Sequence, residues 1–171
     1  MFCQKTVLKN LKVIAFTHKK VDLKDLGKLV ISDELIESYL LSLKNQLAIS
    51  EIFYISTCNR IEFVFTHEEA LSPSFVETFL STLSVGVDIA RLASQAVVYE
   101  SVEALNHLFR VSCSLESLVV GEKEILAQLR QSYEKCKNLG FTGDYLRLIM
   151  DQVVKTAKSV YTDTQIACNP I

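Results

Sequence analysis

Glycine, proline and tryptophan are scarce in this 171-residue chain, which has five Gly, two Pro and no Trp. The glycines, at positions 27, 86, 121, 140 and 143, form neither a G-x-G-x-x-G dinucleotide fingerprint nor a phosphate-binding P-loop. No G-x-S-x-G segment occurs, which excludes the nucleophile elbow of the α/β-hydrolases. Without repeats, low-complexity tracts or Pro/Gly-rich linkers, the chain is predicted to form one compact domain.

The chain also lacks a large excess of either charge, because 18 Lys and Arg residues against 20 Asp and Glu residues give a formal net charge of −2. The total charge predicts no general attraction to nucleic acid or to an anionic membrane, so any such contact must be local. There is no apolar run of about 18 residues and no signal-peptide pattern at the N-terminus. We therefore expect a soluble, cytoplasmic protein with no membrane partner.

The cysteines and histidines lack the spacing of a metal site. No two cysteines are two residues apart, which excludes zinc knuckles and thioredoxin-type pairs, and no His and Cys stand at ligand spacing. We expect no metal. An odd number of cysteines without paired spacing is typical of a reducing cytosol; they are Cys3, Cys58, Cys113, Cys136 and Cys168.

Runs rich in β-branched and aromatic residues alternate with helical patterns over the first hundred residues. Apolar residues at helical spacing predict one helix capped by Ser32-Asp33 and a second that opens at Ser72-Pro73. The predicted order is therefore β-α-β-β-α-β, which is the ferredoxin-like order. The four predicted strands are residues 12–16, 51–57, 61–66 and 96–99.

From Ser101 onward the apolar spacing is helical and predicts three further helices. Gly140 and Gly143 separate the last two, and the last is expected to run to about Val160. The fold class that we predict is α+β, with a ferredoxin-like sheet followed by a C-terminal set of three helices.

Cys58 is the cysteine whose position most favours chemistry, because it follows a predicted strand and precedes Asn59-Arg60. Loops at strand ends present reactive groups, and a nearby guanidinium stabilises a thiolate nucleophile. From the residues alone, the alternative stays open that Cys58 is an ordinary half-buried thiol at a hairpin. His107 is likewise either a general base or a structural residue of an amphipathic helix.

Ser117, Gly121, Glu124 and Gln128 are spaced by four, three and four residues. They would share one face if a single helix ran unbroken through Gly121. Such a polar face is either a substrate wall or a solvated surface, and the residues alone favour the solvated surface.

Four segments, in order along the chain, carry a family resemblance. Residues 55–62 (ISTCNRIE) resemble the S-T-C-N-R-x-E segment of glutamyl-tRNA reductase, and His18-Lys19 resembles that family's N-H-K. Residues 105–128 resemble its H-L-x-R-V and G-L-D-S-x-V-x-G-E-P-Q-I-L-G-Q segments, and residues 160–166 resemble the stretch that leaves its catalytic domain.

The resemblance implies NADPH-dependent reduction of glutamyl-tRNA(Glu) to glutamate-1-semialdehyde, the first step of five-carbon-route tetrapyrrole (porphyrin) biosynthesis. Cys58 would be the nucleophile that forms a thioester with the glutamyl group and releases tRNA. His107 matches a histidine that is important for activity, as an acid, base or orienting donor. The implied substrate-binding residues are Thr57, Asn59, Arg60, Ser117, Glu122, Lys123, Glu124 and Gln128. Arg60 would face a substrate carboxylate.

By the same resemblance, residues 1–160 would be the catalytic, glutamyl-tRNA-recognising domain, and 161–171 the start of a linker to an NADPH-binding domain absent from this chain. NADPH would have no site in this chain, which is expected to lack full reductase activity. The implied partners are glutamyl-tRNA(Glu), a second copy through missing C-terminal helices, and glutamate-1-semialdehyde aminomutase. The compartment would be the cytoplasm, or the plastid stroma in a plant.

The chain departs from the family pattern at four positions. Ser114, Glu116, Lys123 and Glu124 stand where the family has Gly, Asp, Pro and Gln. Glu124 would place a negative charge near an anionic substrate unless it faces the α-ammonium group. These departures leave open a non-catalytic tRNA-binding or regulatory module of the same fold. Cys58 with His107 also leaves open a Cys/His esterase-like hydrolase.

Overall fold

A computed structural model of the chain describes residues 8–83, 86, 88–117, 124–164 and 166. Its strands are β1 (Leu11–Thr17), β2 (Ile52–Ser56), β3 (Arg60–Thr66) and β4 (Val97–Glu100). Its helices are α1 (Leu23–Lys28), α2 (Ile36–Leu47), α3 (Pro73–Thr82), α4 (Ile89–Gln95), α5 (Ser101–Ser112), α6 (Glu124–Asn138) and α7 (Asp144–Asp163). None of these described helices is long and apolar enough to cross a membrane.

The four strands form one sheet in the order β2-β3-β1-β4, and every neighbouring pair is antiparallel. Helices connect β1 to β2 and β3 to β4, two in each connection, and β2 and β3 form a hairpin, so this arrangement confirms the predicted ferredoxin-like order. The register sets Ala15 and Ile55 on either side of Glu62, so this carboxylate lies in the middle of the sheet.

Helices cover both faces of the sheet, which buries all seven residues of β3. On one face, Phe63 packs edge to face against Phe79 of α3, with ring centroids 4.9 Å apart. On the other face, Phe53 of β2 meets Tyr133 of α6, with ring centroids 5.6 Å apart. Burial on both sides agrees with the unbroken apolar run of residues 63–65 in β3.

The three predicted C-terminal helices are confirmed as α5, α6 and α7. The last one ends at Asp163, three residues beyond the predicted end. Near this end, the Tyr161 hydroxyl donates to the Ser112 carbonyl at 3.2 Å and joins α7 to the last turn of α5. This contact brings the C-terminal part of α7 to the segment that follows α5.

The sequence predicted the N-terminal cap of α3 correctly and that of α2 incorrectly. The Ser72 hydroxyl accepts from the Phe75 backbone N–H at 3.1 Å, as Ser72-Pro73 predicts for α3. The predicted cap of α2 at Ser32-Asp33 is wrong, since α2 begins at Ile36 and Leu35 occupies its N-cap. The Asp33 carboxylate instead pairs with Lys135 of α6, so it does not cap α2.

Candidate active site

The hairpin loop between β2 and β3 carries Cys58, whose side chain is exposed. The loop closes where the Thr57 backbone N–H donates to the Arg60 carbonyl at 2.9 Å. Within it, Thr57 Oγ1 accepts from the Asn59 backbone N–H at 3.3 Å. The Asn59 carbonyl accepts from the His18 backbone N–H at 3.0 Å, which fixes the segment after β1 against the loop. The thiol is therefore presented to solvent at a defined end of the sheet.

A buried chain of polar groups begins two residues after Cys58. Arg60 Nη1 donates to Glu62 Oε1 at 2.9 Å, and the other oxygen, Oε2, lies 3.0 Å from His107 Nε2 on α5. The exposed fractions of Arg60, Glu62 and His107 are 4%, 0% and 5%. One buried carboxylate thus connects the strand that follows the nucleophile loop to the histidine.

The Glu62 carboxyl is held in its ionised form despite complete burial. Burial acts to raise its pKa, but the charges and hydrogen bonds of His107 and Arg60 together lower the pKa below its usual range. A buried carboxylate with two such donors is a stable fixed negative charge. It can orient and stabilise the neighbouring imidazole.

Arg60 and Glu116 are joined by a second set of contacts. Arg60 Nη2 donates to the Glu116 backbone carbonyl, and the Glu116 carboxylate accepts from Arg110 Nε at 2.7 Å and Lys19 Nζ at 3.1 Å. Burial opposes ionisation of Glu116, yet Arg110 and Lys19 outweigh it and lower the pKa of this carboxyl. The Arg60 guanidinium, expected to face a substrate carboxylate, thus already has two protein partners.

A cleft of about 260 Å³ opens beside these groups. Of the predicted site residues, Arg60 and His107 line it, whereas Thr57, Cys58 and Asn59 form the adjacent hairpin loop. The residues that line the cleft are Thr17, His18, Lys19, Lys20, Arg60, Val97, Tyr99, His107 and Glu116. No group of three or more His, Cys, Asp and Glu side chains suited to a metal ion occurs among the described residues.

The predicted polar helix face is not formed as one helix. Ser117 lies after the end of α5, where its backbone N–H contacts the Ser114 carbonyl at 3.4 Å, so it does not share a helix with Glu124. Glu124 and Gln128 lie on α6, and Gln128 Nε2 donates to Glu124 Oε1 at 3.0 Å. Gly121, Glu122 and Lys123 lie outside the described residues.

Ser114, one of the departures from the family pattern, occupies a backbone conformation that favours glycine. Its φ is 62°, in the left-handed region, and it follows directly the residue that caps α5. A residue with a Cβ costs about 1 kcal/mol more than glycine in this region. The family's Gly at this position is therefore explained by the turn that ends α5.

Sequence reasoning missed three residues of this site, Glu62, Tyr99 and Glu116. The Tyr99 ring stacks on the His107 imidazole, with centroids 4.1 Å apart and planes 13° apart. Glu62 could have been found from the sequence, because a carboxylate within an otherwise apolar predicted strand must have polar or charged partners when it is buried. Tyr99 and Glu116 gave no such signal, because their contacts with His107, Arg110 and Lys19 depend on how the chain folds around the cleft.

Comparison with known proteins identifies the family. The profile described as "Glutamyl-tRNAGlu reductase, N-terminal domain" matches residues 14–164. The glutamyl-tRNA reductase of Campylobacter hominis is 36% identical over 164 residues, which are 95% of this chain and 38% of that protein. That of Campylobacter lari is 38% identical over 162 residues, covering 92% of this chain and 37% of that protein.

A solved structure agrees with the sequence comparison. The glutamyl-tRNA reductase from Methanopyrus kandleri superposes with a TM-score of 0.74 at 25% identity, over 92% of this chain and 35% of that chain. The chain thus spans less than two fifths of the length of these relatives. Since the family profile covers most of the chain and the fold agrees, the chain belongs to the glutamyl-tRNA reductase family, as its N-terminal domain.

Proposed function

We propose that this chain is the thioester-forming part of an enzyme that reduces glutamyl-tRNA(Glu) to glutamate-1-semialdehyde in tetrapyrrole biosynthesis. Sγ of Cys58 forms a bond to the glutamyl carbonyl carbon, the ester bond to the tRNA ribose oxygen breaks, and the thiol proton ends on that oxygen. The observation that supports this best is the exposed Cys58 in a fixed hairpin loop, next to the buried Arg60–Glu62–His107 chain.

The charged rim of the cleft suits the substrate that we propose. Lys19 and Arg110 have exposed side chains on either side of the Glu116 carboxylate, and Lys20 lines the same cleft. These cations are more accessible to the glutamyl carboxylate or to a phosphodiester of the tRNA acceptor end than Arg60, which is buried and already bonded to Glu62 and Glu116. In this proposal, Arg60 shapes the pocket, and the exposed cations beside the cleft make the first contact with the anionic substrate.

The sequence lacks one common means of binding NADPH. A Rossmann-type domain holds the dinucleotide pyrophosphate at a glycine-rich turn between a strand and a helix, and no G-x-G-x-x-G occurs in the sequence. We propose that the cofactor, which the complete reduction requires, is held by the part of the enzyme that this chain does not cover. Dimerisation and contact with an aminomutase stay predictions.

The proposal is tested with tRNA(Glu) charged with radiolabelled glutamate. We expect the wild-type chain to acquire covalent label that hydroxylamine removes, as a thioester requires, and Cys58→Ser to acquire none. Cys113→Ala, which changes a buried cysteine outside the loop, serves as the control and should still be labelled. Absence of label on the wild type, or equal label on Cys58→Ser, would overturn the proposal.

Alkylation by iodoacetamide should distinguish Cys58 from Cys113 and Cys136, the buried cysteines in the part of the chain that the structure describes. We expect Cys58 to react at least about tenfold faster than Cys113 or Cys136, since burial hides both thiols and raises the pKa of each. Peptide mapping by mass spectrometry at several reaction times measures the three rates. A Cys58 that reacts no faster than a free cysteine in solution would instead favour a non-catalytic tRNA-binding module.

A further inference from the structure

We infer that Glu62 is a positioning residue that holds His107 in one tautomer, with the hydrogen on Nε2 and the lone pair on Nδ1. The inference rests on the proposed function and adds to it a role for His107 in moving the proton of the acyl transfer. It starts from one contact, the 3.0 Å separation between Glu62 Oε2 and His107 Nε2. Both side chains are buried, so water does not compete for either atom.

The hydrogen-bonding capacity of the two groups determines which nitrogen carries the hydrogen. An ionised carboxylate can only accept hydrogen bonds, so the nitrogen that faces it must be a donor. A neutral imidazole has one donor and one acceptor nitrogen. With Nε2 as the donor, Nδ1 is the nitrogen that gains or loses a proton. The Arg60 guanidinium on the other Glu62 oxygen favours an ionised carboxyl here whatever the charge of the imidazole.

Two further contacts keep this arrangement from rotating. The second Glu62 oxygen accepts from Arg60 Nη1 at 2.9 Å, so turning the carboxylate breaks that ion pair as well. The Tyr99 ring lies nearly parallel to the imidazole at 4.1 Å and covers one of its faces. Flipping the imidazole about its Cβ–Cγ bond would put Cε1 in the place of Nε2 and break the contact with Glu62. Arg60 also ties the same chain of contacts to the loop of Cys58.

The chemical consequence is a base of defined direction. A histidine whose tautomer is fixed by a carboxylate can take a proton from a thiol, or give one to a leaving oxygen, through the opposite nitrogen only. We therefore assign Nδ1 of His107 to proton transfer during thioester formation. Glu62 acts through His107 and touches neither the substrate nor Cys58 in this assignment.

The tautomer is measured directly by long-range ¹H–¹⁵N correlation on the uniformly ¹⁵N-labelled wild-type chain, at a pH where the imidazole is neutral. His107→Gln identifies the His107 signals by their disappearance. We expect a protonated Nε2 and an unprotonated Nδ1. A protonated Nδ1, or an averaged mixture of the two tautomers, would overturn the inference whatever the outcome of the labelling with glutamyl-tRNA.

Glu62→Gln provides the second measurement, because glutamine has nearly the same shape but its amide can donate to Nε2. We expect loss of the single Nε2–H tautomer and a thioester-forming rate lower by about 10²-fold, with little change in the concentration of glutamyl-tRNA needed for half-saturation. Glu100→Gln is the control, since it weakens a different ion pair of the same sheet, with Lys12. An unchanged tautomer in Glu62→Gln, or an equal rate loss in Glu100→Gln, would contradict the inference.

Discussion

Replacing Glu62 with leucine should lower the free energy of unfolding by about 3–5 kcal/mol, a large share of the stability of a domain of this size. Leucine fills the space within the sheet but leaves the Arg60 guanidinium buried and without its carboxylate. Removing one member of a buried ion pair costs far more than the pair itself contributes, because the remaining charge has no water to solvate it. His107 loses its partner as well.

Urea denaturation followed by circular dichroism measures this effect. The control is Glu77→Ala, which removes an exposed carboxylate of α3 and should change stability by less than about 0.5 kcal/mol. Adding Arg60→Met to Glu62→Leu should restore part of the loss, because it removes the unpaired charge. A cost of Glu62→Leu below about 1 kcal/mol, on the scale of exposed pairs, would contradict the account of a buried, coupled carboxylate.

The difference in stability between wild type and Glu62→Leu should depend on pH. The pKa of Glu62 is lower in the folded chain than in the unfolded chain, so ionised Glu62 stabilises the fold above the ordinary pKa of glutamate. That contribution disappears as the pH falls through the lowered pKa. The difference in stability between wild type and Glu62→Leu should therefore shrink in acid.

The sheet and its surroundings were predictable because their signals are local. Runs of β-branched and aromatic residues indicated all four strands within one or two residues. Ser72-Pro73 marked the start of α3 by a cap whose donor is three residues away. The short helices α1 and α4 were missed because six and seven residues are too few to establish a helical period.

The candidate site was predictable only as far as its parts are close in sequence. Thr57, Cys58 and Asn59 form one loop and Arg60 begins the strand that follows it, so one short motif contains all four. The partners of Glu62 and Glu116 depend on the packing of α5 and of the segment after β1 against the sheet, with separations of 45 and 97 residues along the chain. The pattern of residues in a single sequence does not indicate which distant side chains will be in contact. Asp33 shows the same effect, because it contacts Lys135, 102 residues away, instead of capping α2.

Glu51→Ala should lower the free energy of unfolding by about 2–3 kcal/mol, since this carboxylate, on the residue before β2, caps the N-terminus of α7. Its oxygens accept from the backbone N–H groups of Gly143, Tyr145 and Leu146 at 2.8, 3.2 and 2.9 Å. Gly143 occupies the N-cap position and has no side chain that could accept from these N–H groups. The negative charge also complements the positive end of a 20-residue helix.

Chemical denaturation gives the total cost, and hydrogen exchange locates it. We expect the Tyr145 and Leu146 amides to exchange faster in Glu51→Ala, because their acceptor is lost. Glu51→Gln keeps an acceptor oxygen without the charge and should lose about half as much stability. Glu134→Ala removes only an exposed pair with Lys137 and is the matched control on a neighbouring helix. Equal losses in Glu51→Ala and Glu134→Ala would contradict the capping role.

Gly143→Ala examines the same contact from its other side. A Cβ at position 143 would stand 2.8 Å from Glu51 Oε1, so the carboxylate must move away from the N–H groups that it binds. We expect Gly143→Ala to destabilise the wild type but to cost little more in the Glu51→Ala background, where the carboxylate is gone. The two changes should therefore be non-additive by about 0.5–1 kcal/mol or more in a double-mutant cycle. Additive losses would show that the close approach of Gly143 to Glu51 does not position the cap.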